Sequence, residues 1–157
     1  TAPASGVFLA GSFAMAALGS RFAALLADWL DPGGTGGAFR WGMAVGYGVL
    51  AGMMALLATT PALWLAPVLL LRGFPSGLLN PLAEAEIHPR LPSTVRATWL
   101  SVQSLAGRLA FSLVLLGLSW VVGDDWSFET LRAIFLPFAA LAGFGALVGF
   151  ARGWRAT

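Results

Sequence analysis

Five apolar stretches dominate the chain, each close to the length of about 20 residues that a helix needs to cross a bilayer. They run from about residue 4 to 27, 40 to 59, 62 to 88, 94 to 122 and 129 to 151. Short polar or glycine-rich segments separate them. Asp31-Pro32-Gly33-Gly34 and Gly36-Gly37 cannot continue a helix, and Pro61 marks a turn with Thr59 or Thr60 placed to cap the third stretch. His88-Pro89-Arg90-Leu91-Pro92-Ser93 reads as a short, stiff loop, with Ser93 as the N-cap of the fourth stretch. Gly123-Asp124-Asp125-Trp126-Ser127 is a polar turn. The third stretch contains Pro67, Pro75 and Pro81, which predict kinks in a single helix. The pattern is therefore all-α: a polytopic membrane bundle of five transmembrane helices within one unit, 1–157.

Two spans carry polar stripes. Arg72, Ser76, Asn80 and Glu84 recur every four residues along the third, and Ala97, Ser101, Ser104, Arg108 and Ser112 trace a similar line on the fourth. If each span is centred on the bilayer, Arg72 and Arg108 lie near its midplane. An ionised group there costs roughly 2.5–3.5 kcal/mol on insertion scales, so such residues face a water-filled cavity or a partner. The stripes are a candidate solute path, turned to a polar cavity or to each other; interhelical hydrogen bonding is the plainer alternative. Glu84 and Glu86 sit at the end of the third span. Pairing of Glu84 or Glu86 with Arg96 or Arg90 would form a latch there, and a partly desolvated Glu84 is a candidate proton carrier.

Gly42-x3-Gly46, Gly48-x3-Gly52 and Gly145-x3-Gly149-x3-Gly153 place small residues four apart, which lets backbones approach closely in lipid. They serve either sliding contacts in a moving protein or ordinary tight packing.

Composition supports the membrane reading. The chain is 58% hydrophobic and 10% charged, against about 25% charged in soluble domains. It has no Cys and one His, so neither a thiolate site nor a multi-His metal cluster is expected, and no cofactor is implied. No nucleophile, Walker or zinc-hydrolase motif is present, so an enzyme is not expected. The arginines form no continuous patch for nucleic acid. Summed over alternate loops, one side receives Arg21, Arg40, Arg90, Arg96, Arg152 and Arg155, with Asp28 and Asp31; the other receives Asp124, Asp125, Glu129 and Arg132. Positive charge collects on the cytoplasmic side, so the N-terminus is expected outside and the C-terminus inside. The seven Trp all fall near expected span ends, as interfacial anchors do.

Certain of these residues also carry a resemblance. Leu71-Arg72-Gly73-x3-Gly77-x3-Pro81, then Glu84-x-Glu86, then Leu91-Pro92-Ser93-x-Val95-Arg96-Ala97-Thr98-x-Leu100-Ser101-x2-Ser104-x3-Arg108 resembles a helix-loop-helix in the C-terminal half of major facilitator superfamily transporters. Leu26-Ala27-Asp28 is similar to the superfamily's Gly-x-Leu-Ala-Asp-Arg-x-Gly loop motif, with Ala24, Trp29 and Asp31 departing from it. The resemblance covers essentially the whole chain and implies helices eight to twelve of a twelve-helix transporter. The first residue is Thr, and the chain reads as a piece of a longer protein whose N-terminal bundle would be its partner. The resemblance further implies secondary active transport of a small solute by alternating access, with protons as a candidate coupling ion, in a bacterial inner membrane. Arg72, Ser76, Asn80 and Arg108 would line the cavity. Asp28, Glu84, Glu86, Arg90 and Arg96 would form the cytoplasmic gate. A five-span structural or partner-binding subunit is the alternative.

Overall fold

The computed structural model describes residues 2–30, 36–60, 63–123 and 127–154. Among them every regular element is a helix. The order is α1 (Ala2–Leu30), α2 (Gly37–Thr59), a 3₁₀ helix (Leu63–Arg72), α3 (Gly73–Ile87), a short 3₁₀ turn (His88–Arg90), α4 (Ser93–Val122) and α5 (Phe128–Trp154). Four of these, α1, α2, α4 and α5, are long and apolar enough to cross a membrane.

The expected third span differs from a single kinked α-helix. It is a 3₁₀ helix up to Arg72 and α-helical from Gly73. Proline supplies the reason. Pro75 has no N–H to donate to the carbonyl four residues back, at Leu71, and its ring crowds that carbonyl. The α-helical ladder therefore cannot run undisturbed through residues 71–75, and the chain reaches Gly73 on the tighter coil. At about 2.0 Å per 3₁₀ residue and 1.5 Å per α residue, the ten-residue and fifteen-residue pieces together extend for about 42 Å, longer than a bilayer core, although α3 alone does not.

Capping also departs from expectation. Thr60 terminates α2, its N–H bonded to the Leu56 carbonyl. Thr59 Oγ donates back to the Ala55 and Leu56 carbonyls of its own helix, at 2.9 and 3.2 Å. Ser93 is the first residue of α4; Pro92 precedes it in the N-cap position with no side-chain cap.

Helix α2 packs chiefly on α5, and α1 on α3, with α2 and α3 joining the two pairs. Ala23, Ala38, Leu78 and Leu82 are buried at that junction, flanked by Leu26, Phe39 and Phe74. Small residues permit these contacts. A Cβ on Gly73 or Gly77 would overlap the backbone carbonyl of Ser12 or Ala16, respectively, and one on Gly149 would lie 2.7 Å from the Ala44 nitrogen. Gly42 and Gly46 lie against Leu82 and Leu79. A Cβ on Gly48 or Gly52 would meet no heavy atom of another segment within 4 Å, so that half of the expected α2 motif faces open space.

Helix α4 stands apart. Every residue from Pro92 to Gly117 is exposed, and none of its apolar window is buried within the chain.

Candidate functional site

The stripe on the third helical segment lies on its uncovered side. Gly73, Leu78 and Leu82 are buried towards the bundle, whereas Arg72, Ser76, Asn80 and Glu84 are all exposed. Arg72 is the last residue of the 3₁₀ helix, at the junction where the coil changes pitch. Its guanidinium carbon lies 5.7 Å from the centroid of the Phe8 ring on α1, within the range of a cation–π contact. Ser76 Oγ donates to the Gly73 carbonyl at 2.8 Å, inside its own helix. Asn80 stays on the exposed face.

Arg108 lies with Leu100, Ser101, Ser104 and Leu105 along an open groove of about 410 Å³ formed by α4 alone. The two polar stripes are not brought together: neither Arg72 nor any residue of α3 lines the Arg108 groove. An arrangement in which the stripes face each other is therefore not the one observed, and each lines an uncovered surface of its own.

The expected gate residues divide in a definite way. Arg90 forms an ion pair with Glu86, one helical turn apart. Arg96 does not join it. Its Nε donates to the Leu91 carbonyl at 3.1 Å, closing the loop back on the start of α4. The same loop is held by Leu91 N–H on the His88 carbonyl at 3.3 Å and Val95 N–H on the Pro92 carbonyl at 3.1 Å. The Glu86 carboxylate also faces the turn that starts α2: a Cβ on Gly36 would lie 3.1 and 3.2 Å from its two oxygens. Gly36 has φ 79°, in the left-handed region that glycine enters freely. An anion at this end of α2 complements the partial positive charge of the helix N-terminus.

Glu84 is exposed and lines a narrow cleft with His88, Trp99 and Gln103, where α3 approaches α4. Asp28 is exposed near the end of α1. Asp31 and the Asp124–Trp126 segment lie outside the described residues. Among the described residues no group of three or more His, Cys, Asp or Glu side chains gathers as a metal site.

One contact between helices has no counterpart in the expected motifs. Ser20 Oγ donates to the Gly77 carbonyl at 3.1 Å, linking α1 to α3. The signal was available as small residues at 12, 16 and 20 on the first span, facing Gly73 and Gly77 on the third.

Comparison with protein-family models, with curated proteins and with solved structures finds no match.

Proposed function

We propose that this chain is part of a secondary active membrane transporter of the major facilitator type, moving a small solute by alternating access. The observation that carries the reading is the Arg72–Ser76–Asn80 stripe, which lies on the uncovered side of an apolar helical segment. Side chains able to hold a polar solute are turned away from the bundle's own core, on the surface that a second bundle would cover. The change from 3₁₀ to α-helix at Arg72 and Gly73 adds support, since such breaks within a helix often accompany a hinge. In this reading the 3₁₀ helix and α3 form the fifth crossing, and an N-terminal bundle completes the cavity. Alternating access in such transporters is a rocking of two bundles about a site at the midplane.

Arg72 is the candidate anchor for an anionic or carbonyl-bearing group of the solute, with Ser76 and Asn80 as orienting hydrogen-bond partners. Arg108, in the separate groove on α4, is a further candidate for the path. Asp28, Glu84, the Glu86–Arg90 pair and Arg96 would act at the gate, on the side expected from the arginine count to be cytoplasmic; a bacterial inner membrane is what the resemblance implies. Protons are the candidate coupling ion through Glu84.

A second reading, a structural or partner-binding membrane subunit, draws on α4. Its exposed face from Pro92 to Gly117 would dock another helical chain instead of lining a path.

Transport of a mixed-compound panel in vesicles holding the full-length protein separates the two. The transporter reading expects uptake or efflux of at least one compound, and its loss in an Arg72→Ala variant that inserts normally. Absence of transport by a correctly inserted parent across the panel would favour the subunit. Normal transport by Arg72→Ala would leave transport intact as a function and remove Arg72 from the path.

A further inference from the structure

We infer that the arginine-lined pocket at the α2–α5 end of the bundle binds the phosphate of an anionic phospholipid headgroup. The pocket has a volume of about 510 Å³ and is lined by Phe39, Arg40, Met43, Glu86, Arg90 and Arg152, among others. Its cations come from three different elements. Arg40 lies in the first turn of α2, Arg90 in the short 3₁₀ turn after α3, and Arg152 in the last turn of α5. Packing of α5 on α2 brings them to one level: Gly149 lies so close to α2 that a Cβ there would be 3.0 Å from the Arg40 carbonyl oxygen.

Among the described residues the lining is positive: it holds Arg40, Arg90 and Arg152 with Glu86 as the acid, and Glu86 is already engaged by Arg90. Among the described residues neither Arg40 nor Arg152 has an acidic partner. Two such arginines lining one cavity suit a phosphate, whose oxygens accept paired N–H donors from arginine.

Position favours a lipid over a free anion. The pocket lies at the ends of two helices that are long and apolar enough to cross a membrane. Trp41 and Phe150 stack edge to face beside it, with centroids 5.5 Å apart. A Trp at the end of a transmembrane helix marks the headgroup region, and basic pockets between transmembrane helices are headgroup sites. The inference requires a membrane-embedded bundle and does not depend on transport.

Native mass spectrometry of the full-length protein in detergent tests it, with cardiolipin or phosphatidylglycerol titrated against phosphatidylcholine. The expected result is preferential retention of the anionic lipids, weakened about tenfold in R40Q/R152Q and less than that in R40K/R152K, which keeps the charge but loses the paired N–H donors. Thermal midpoints of all three proteins, measured without added lipid, establish that each is folded; the lysine pair keeps the test open if the glutamine pair is not. Equal retention of anionic and zwitterionic lipid overturns the proposal, as does parent-like binding by a folded R40Q/R152Q. Displacement of the anionic lipid by millimolar inorganic phosphate, with phosphate binding equally well in lipid-free protein, overturns the assignment to a lipid.

Discussion

Ser20 Oγ on α1 donates a 3.1 Å hydrogen bond to the carbonyl of Gly77 on α3. Gly77 is four residues before Pro81, so in a regular α-helix its carbonyl would accept the N–H that proline lacks. A neighbouring serine thus supplies the missing donor, which is how proline is tolerated in helices that cross lipid. Ser20→Ala should lower stability by about 0.6–2 kcal/mol, the range for interhelical hydrogen bonds in membranes. The cost should shrink in a Pro81→Ala background, where residue 81 has its own N–H to offer. Thermal unfolding of the four proteins in detergent measures this coupling; equal losses in both backgrounds would mean that the serine does not serve the carbonyl left by Pro81.

The close approach of α1 and α3 should make Gly77 far less replaceable than Gly52. A Cβ on Gly77 meets the Ala16 backbone, which cannot rotate away, whereas one on Gly52 meets nothing within 4 Å. Gly77→Ala is expected to cost about 1–3 kcal/mol or more, as overpacking does. Gly52→Ala should be neutral or slightly stabilising, because alanine is the better helix former. Folded yield and thermal midpoint of the two variants decide the matter, and parity between them would contradict the tight α1–α3 contact.

The Glu86–Arg90 pair should matter little for stability. Its arginine side chain is 74% exposed and its glutamate 23%, and exposed pairs one turn apart contribute about 0.3–0.5 kcal/mol. Arg90→Gln should therefore leave the thermal midpoint nearly unchanged. If the pair acts in a gate, the same substitution should change transport rate several-fold in the full-length protein. A variant with unaltered transport would reduce the pair to surface decoration.

At the 3₁₀–α junction, Arg72 and Phe8 should be coupled. A cation over an aromatic face is worth about 0.5–1 kcal/mol at exposed sites and more when desolvated. Phe8→Leu keeps the side chain apolar and removes the ring, so it should destabilise the parent by at least about that amount. In an Arg72→Ala background it should cost less. Double-mutant thermal unfolding measures the difference, and additive losses would show that the 5.7 Å approach carries no energy.

Much of this was legible in the residues themselves. A chain with 58% hydrophobic and 10% charged residues has too few charges to cover helices for water, so long apolar helices follow from composition and periodicity alone. The four-residue recurrence of Arg72, Ser76, Asn80 and Glu84 likewise fixes a common face, because helical geometry is local. The proline positions told where the third segment would be disturbed. They did not tell that the disturbance would be a run of 3₁₀ helix ending at Arg72, since a freed carbonyl can be accommodated by a kink, a tighter coil or a neighbouring donor.

Tertiary structure decided which of several equivalent groups meet. Four glycines of α2 share one spacing motif in sequence, yet Gly42 and Gly46 are buried against α3 while Gly48 and Gly52 face open space. Arg90 and Arg96 were both candidates for Glu86 by charge. The helical turn between 86 and 90 brings the first within reach, and the loop geometry draws the second to the Leu91 carbonyl. Arg40 and Arg152 are more than a hundred residues apart in the chain and share a pocket because α2 and α5 pack together. Sequence alone determined that the chain is helical and apolar, because those properties belong to short stretches of backbone and to composition. Which faces are covered, and which charges share a cavity, depended on how the helices pack, because that is set by contacts between segments distant in the chain.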